Sequence, residues 1–199
     1  MIDSSSSENP GRIAEGTFPG NETFDSLFRI FHPRLLRFLT KQLEGTSIDP
    51  EDVAQESMVK VWTKRDQFDN RYQLSTWVYS IARNTATDHL RKRRYAESLD
   101  RDSVVANDHE TDDGVAIAEQ FSAVWKVAGE VLSKDQYSAM WLRYGEEMTI
   151  KEVSKALSKT TVSVRVLLHR ARNIIQRQLV ERGLASERGG HDESEVLEP

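Results

Sequence analysis

Ser75 to Tyr95 reads STWVYSIARNTATDHLRKRRY, and this stretch decides the fold class. At about 100° per residue around a helix axis, Val78, Tyr79, Ala82, Ala86 and Leu90 fall on one arc and form a core-facing stripe. Ser80, Asn84, Thr87, Asp88 and Arg91 fall on the opposite arc, and Trp77 lies with them. Arg91, Lys92, Arg93 and Arg94 then end the pattern in consecutive positive charges. An aromatic on the wet face of a basic helix suits DNA whose bases have been unstacked. A surface helix with one edge tryptophan and a solvated basic end carries the same pattern.

The chain on either side is also helical. Upstream, Phe24, Leu27, Phe28, Phe31, Leu35, Phe38 and Leu39 recur at three- and four-residue spacing, and Pro33 is expected to kink or divide that helix. Gly45 and Asp49-Pro50 mark a break and a restart, with Asp49 as N-cap and Pro50 at the first helical position. That helix should reach about Arg65, and a polar loop, Asp66 to Tyr72, leads into the quoted stretch. The periodicity stops after Tyr95. Ala96 to Gly114 reads as a flexible linker, and helical pattern resumes near Val115 with Phe121, Val124, Trp125, Val127, Val131 and Leu132. Ser133 can cap a helix through Gly145, and Thr149-Ile150-Lys151-Glu152 has the form of a capping box. The short helix it opens ends near Leu157. Ser158 to Thr161 then separates it from a longer helix that reaches about Val180. No strand pattern and no internal repeat interrupts this. The expectation is all-α: two small helical domains joined by a flexible acidic linker, the second containing a helix-turn-helix.

The 199 residues contain no cysteine, which excludes disulfides, thiolate metal sites and thiol nucleophiles. No apolar run approaches the ~20 residues that span a bilayer, and MIDSSSSENPGR lacks the features of a secretory signal. A cytoplasmic location is expected. The net charge of −5 argues against nucleic acid until its distribution is read. Glu97 to Glu119 holds eight acidic residues against Arg101 alone, and the tail from Glu181 is acidic too. Met148 to Gln178 holds seven Lys or Arg and one acid, Glu152. Local fields steer binding, and the total hides them.

A short helix, a tight turn and a basic second helix form the arrangement that lays a recognition helix in the major groove. Val164, Leu167, Leu168, Ala171, Ile174 and Ile175 share the packing arc. Thr161, Val162, Arg165, Val166, His169 and Arg172 share the other. Arg165 suits guanine or phosphate, Thr161, Val162 and Val166 suit thymine methyls, and His169 and Arg172 suit phosphates. A solvated basic helix of a bundle would look similar.

Three segments in order resemble the extracytoplasmic-function sigma factors, the small two-domain initiation subunits of bacterial RNA polymerase. PEDVAQESMVKVW resembles the family's polymerase-binding helix through Asp52, Gln55 and Glu56. The quoted stretch resembles its promoter-melting and −10 recognition helix. LSKDQYSAMWLRYGEEMTIKEVSKAL followed by VRVLLHRAR resembles its −35 domain. The resemblance implies a polymerase and −10 domain over 22–95 and a −35 domain over 119–182. By composition, the Ser-, Gly- and Pro-rich start over 1–21 and the acidic tail over 183–199 read as disordered, and 96–118 reads as the acidic linker.

Asp52, Gln55, Glu56 and Val59 share one face and would dock on the polymerase clamp; a solvated face whose acids favour the helix dipole is the plainer reading. Val53, Met58, Val61 and Trp62 are assigned to the core. The resemblance places Asn84, Asp88 and Arg91 near −10 bases and Trp77 and Arg83 near the melted strand. It makes the loop from Lys64 to Tyr72, with Arg65 and Asn70, the pocket for an extruded base. Unstacking a base costs a few kcal/mol, and stacking on an aromatic returns ~1–3 kcal/mol. One tryptophan therefore helps hold a bubble but does not melt a promoter. Lys92, Arg93 and Arg94 are phosphate contacts without base information. Thr160, Thr161, Val162, Arg165, Val166, His169 and Arg172 form the −35 set. The implied partners are core RNA polymerase, promoter DNA and an anti-sigma factor able to hold the protein at the membrane. No cofactor or metal is implied.

Two positions depart from the family pattern. Ser158 stands where the turn usually has glycine, and Arg165-Val166-Leu167 replaces a Lys-Ser-Arg-like run. The acidic linker is expected to occupy the basic surfaces of the free protein. Two other classes compete with the sigma reading. A stand-alone helix-turn-helix regulator has little use for the Trp77 face. An enzyme would draw on Asp52, Glu56, His32, His89 and His169, which sit singly on separate helices without metal spacing, a phosphate loop or a nucleophile motif.

Overall fold

The computed structural model describes residues 24–69, 71–99 and 119–184, which form seven α-helices and, among the described residues, no strand. The helices are α1 (Phe24–Leu43), α2 (Pro50–Thr63), α3 (Leu74–Leu99), α4 (Glu119–Val131), α5 (Lys134–Met140), α6 (Ile150–Ala156) and α7 (Thr161–Glu181). A 3-10 turn, Arg65–Gln67, follows α2, and a π-helical turn, Trp141–Gly145, ends α5. The flanking segments and most of the expected linker, with its proposed charge masking, lie outside the described residues.

Helix α1 runs unbroken through Pro33, contrary to the expected division. Pro33 is exposed, and so is Arg29, whose carbonyl loses its i+4 amide partner to the proline. Leu27 and Phe31 before it, and Leu35, Phe38, Leu39 and Leu43 after it, are buried. Burying such side chains contributes roughly 1.5–3 kcal/mol each, enough to hold one helix across the break. Helix α3 continues four residues beyond Tyr95, to Leu99. Its apolar stripe ends where expected, but Ala96, Glu97 and Leu99 are good helix formers, which lets the helical backbone run on past the stripe.

The helix starts follow the sequence closely. Asp49 accepts from the Glu51 amide at 2.8 Å with Pro50 just behind it. Ser133 with Gln136, and Thr149 with Glu152, close capping boxes. Thr160 caps α7 by accepting from the Ser163 amide at 3.1 Å. The helix from Ser133 does not run to Gly145 as a regular α-helix: it is α-helical only to Met140, and its last turn widens. The wide turn begins at Trp141, whose indole, Trp125 and Tyr137 form a mutually packed aromatic trio.

Helices α1, α2 and α3 pack as one unit and α4 to α7 as another, but their buried side chains form one continuous apolar cluster. The two halves touch along α1 against α5 and α3 against α6. The expected pair of helical units is present, and the two are docked on each other.

Candidate nucleic-acid interface

Three surfaces carry the residues singled out from sequence. On α2, Asp52, Gln55 and Val59 are exposed, and Val59 keeps 53% of its surface in water although it is aliphatic. Val53, Met58 and Val61 are fully buried and Trp62 packs at the core's edge, as expected. Glu56 does two things. One carboxylate oxygen meets Lys60 Nζ at 2.7 Å and the other lies 2.6 Å from His89 Nε2. Hydrogen bonds from Lys60 and then His89 hold its pKa below the usual carboxylate value. Glu56 therefore fastens α2 to α3 as well as lining the exposed face.

On α3, Asn84, Thr87, Arg91, Lys92 and Arg94 are exposed, Arg83 and Arg93 are half-buried, and Arg91 pairs with Asp88 at 3.1 Å. The arc expected to face the core is buried at Val78, Tyr79, Ala82 and Ala86. Trp77 corrects the sequence reading. It is half-buried, with its ring 5.4 Å from that of Phe68, and belongs to the rim of the core. Phe68 comes from the preceding loop, whose return a helical wheel cannot show. In that loop Lys64 is exposed, while Arg65 donates to the Trp62 carbonyl and stacks 4.6 Å over its ring. Arg71 forks onto Asp69, lowering that carboxyl to about 2. Asn70 lies outside the described residues.

On α7, Val164, Leu168, Ala171 and Ile175 are buried and Leu167 and Ile174 half-buried, so the packing arc lies as expected. Val162, Arg165, Val166, His169 and Arg172 are exposed, with Val162 at 64% and Val166 at 43%. Thr161 is half-buried. Thr160, included in the −35 set, has its hydroxyl engaged with the Ser163 amide and hydroxyl in the cap. Ser158 does adopt the left-handed conformation, at φ 50°. The Lys159 amide reaches the Ser154 carbonyl and the Ser158 amide that of Lys155, so the turn is a Schellman closure with serine in glycine's place.

A model of sigma-70 region 2 matches residues 27–95, and one of sigma-70 region 4 matches residues 130–175. The chain is 24% identical over 180 residues to the ECF RNA polymerase sigma factor SigW of Bacillus subtilis, covering 84% of this chain and 95% of the relative. It is 27% identical to SigX of the same organism, over 79% of this chain and 84% of the relative. The chain belongs to the extracytoplasmic-function sigma factors. Among solved structures, the sigma factor RpoE of Bartonella quintana, crystallised with the anti-sigma factor NepR, superposes with a TM-score of 0.59. That match has 23% identity, covers 79% of this chain and 96% of the other, and supports the fold. A member of this family directs promoter recognition in transcription initiation, so the helical halves of this sigma factor are its regions 2 and 4. No helix among the described residues is long and apolar enough to cross a membrane.

Sequence reasoning missed the seam between the regions. Glu146 is buried; its carboxylate accepts from Tyr79 Oη at 2.8 Å and from Arg34 at 3.3 Å. Trp141 Nε1 donates to the same Tyr79 oxygen at 3.0 Å. Burial pushes Glu146 above the ordinary carboxylate pKa, against the pull of Arg34 and Tyr79, and pushes Tyr79 well above its own. The only cue was Glu146-Glu147 beside Gly145, which reads equally as an exposed turn.

Proposed function

We propose that residues 22–95 form the polymerase and −10 unit and residues 119–182 the −35 unit of a sigma subunit without catalysis of its own, working in the cytoplasm. Asp52, Gln55, Glu56 and Val59 dock on core RNA polymerase. The Asn84, Asp88 and Arg91 face of α3 reads −10 bases while Lys92, Arg93 and Arg94 hold phosphates. Trp77 and Arg83 lie along the melted strand, and the loop from Lys64 to Tyr72, with Arg65 and Asn70, receives a displaced base. On α7, Arg165 and the methyls of Val162 and Val166 read −35 base edges, with Thr161, His169 and Arg172 at their flanks and Thr160 fixing the helix start. An anti-sigma factor is the regulatory partner.

The observation that carries this reading is the pairing of two exposed surfaces on matched regions. An aliphatic and acidic face on α2 stands free of the core, as does the first half of a basic recognition helix. A repressor needs the second alone. The test is capture of purified core polymerase by the full chain, compared with Asp52→Lys and Val59→Asp. Wild type should retain core, and each variant should weaken retention at least tenfold, equivalent to ~1.4 kcal/mol. Equal retention by all three would remove the α2 face from the account.

A further inference from the structure

Within region 2, four polar side chains close a ring between α2 and α3. Glu56 and Lys60 stand one turn apart on α2, and Thr85 and His89 stand one turn apart on α3. His89 Nε2 lies 2.6 Å from one oxygen of Glu56, and Lys60 Nζ lies 2.7 Å from the other. The Lys60 ammonium also donates to the Thr85 hydroxyl at 3.2 Å, and Thr85 is 1% exposed. The ring thus runs from the core, through the edge of the α2 docking face, and back to the DNA-reading helix.

Glu56 is where this ring meets the face carrying Asp52, Gln55 and Val59. Its two anchors, Lys60 and then His89, hold its carboxyl below the usual carboxylate value, so the group is ionised and can only accept. His89 Nε2 therefore carries the shared hydrogen. An ionised carboxylate has about four lone-pair sites. One on each oxygen is taken, and the side chain keeps 40% of its surface in water, so acceptor sites remain for donors on a partner. Gln55, by comparison, donates at 3.0 Å to Glu51 of its own helix. A glutamate free on a helix surface samples many rotamers, and binding must select one of them. Glu56 is already held at both oxygens, and one of the two holds comes from another helix. Such preorganisation raises affinity without adding a contact.

We propose that His89 is a positioning residue for core polymerase docking: reaching across from α3, it fixes the orientation in which Glu56 meets the polymerase. The inference rests on the docking role given to Glu56 above, and it adds a residue of the DNA-reading helix to the docking machinery. His89 acts through Glu56, so its contribution vanishes when Glu56 is removed. A bond that only stapled α2 to α3 would change stability and leave the docking of folded protein untouched.

The test is the equilibrium affinity of labelled full-length protein for purified core polymerase. Wild type is compared with His89→Leu, His89→Gln, Glu56→Ala and the double variant Glu56→Ala with His89→Leu. Each is assayed where circular dichroism shows it fully folded, so lost stability does not enter. Leucine fills the space and removes the donor, whereas glutamine brings a side-chain N–H to where Nε2 stands. His89→Leu should weaken docking about three- to tenfold, as expected when one ordered side chain is set loose, and His89→Gln should stay within about twofold of wild type. Glu56→Ala should weaken docking further, and adding His89→Leu to it should change nothing more. Wild-type affinity in His89→Leu, or losses that add in the double variant, overturns the proposal while Glu56 keeps its docking role. Wild-type affinity in Glu56→Ala instead removes Glu56 from the docking face and takes the proposal with it.

Discussion

The two regions hold their functional groups in opposite ways. In region 2 several charges are already committed: Glu56 to Lys60 and His89, Arg91 to Asp88, Arg71 to Asp69. In region 4 the recognition helix presents Arg165, His169 and Arg172 with no ion pair among the described residues. Its charge pairs, Lys159 with Asp135 and Arg182 with Glu130, lie at the ends of α7 and tie it to α5 and α4. A duplex offers phosphates and base edges without reorganisation, so a reader of duplex DNA works best with unpaired cations. A surface that handles melted DNA and a protein partner gains from groups already held in place when strand or partner arrives.

The largest expected effect tests whether the regions are separable. Phe38→Ala removes a fully buried ring and should lower stability by about 3–5 kcal/mol. Because Phe38 supports Tyr79 at the seam, calorimetry should show one transition shifted as a whole. Two transitions, only one of them moved, would break the picture of a shared core. Next comes the contrast in committed charge. Arg165→Ala should weaken holoenzyme binding to a −35-containing promoter by about 1–3 kcal/mol, whereas Arg71→Ala, whose charge Asp69 already occupies, should change it little. Fluorescence anisotropy at fixed salt reads both, and equal losses would erase the distinction.

Smaller effects probe the helix-turn-helix. Thr149→Ala removes a capping box and should cost about 1 kcal/mol. Ser158→Gly should gain roughly 0.5–1 kcal/mol, because glycine adopts φ 50° without strain. Denaturant midpoints for the pair should move in opposite directions.

The smallest effect is on pH. Burial raises the Glu146 carboxyl above the ordinary carboxylate value in the folded protein, with Arg34, Tyr79 and Glu147 as the charged or titratable groups beside it. Folding therefore takes up a proton at this site. The stability it contributes is present below the unfolded-state value and is lost as pH rises through the folded-state value. The gap in denaturant midpoint between Glu146→Gln and wild type should therefore change in favour of the glutamine variant as pH rises through the acid range; a gap that does not move with pH removes the effect.

Much of this was legible because helical caps and stripes are local. Asp49, Ser133, Thr149 and the buried arc of α7 follow from spacing alone. Pro33 misled because a proline's penalty depends on which face it occupies. Trp77 misled because a wheel shows a residue's angle and not the loop that returns over it, here at Phe68. The seam was illegible for a deeper reason: Arg34, Tyr79 and Glu146 are distant in sequence and are joined only by tertiary packing.

As a sigma subunit, this chain must give core polymerase a promoter specificity that core lacks. Transcript starts can be mapped with purified core polymerase, with and without the protein, on sheared genomic DNA. A set of starts should appear only with the protein, share −10 and −35 sequences and shrink with Asp52→Lys. Identical transcripts in both reactions, with the folded protein present in excess, would rule out the sigma role.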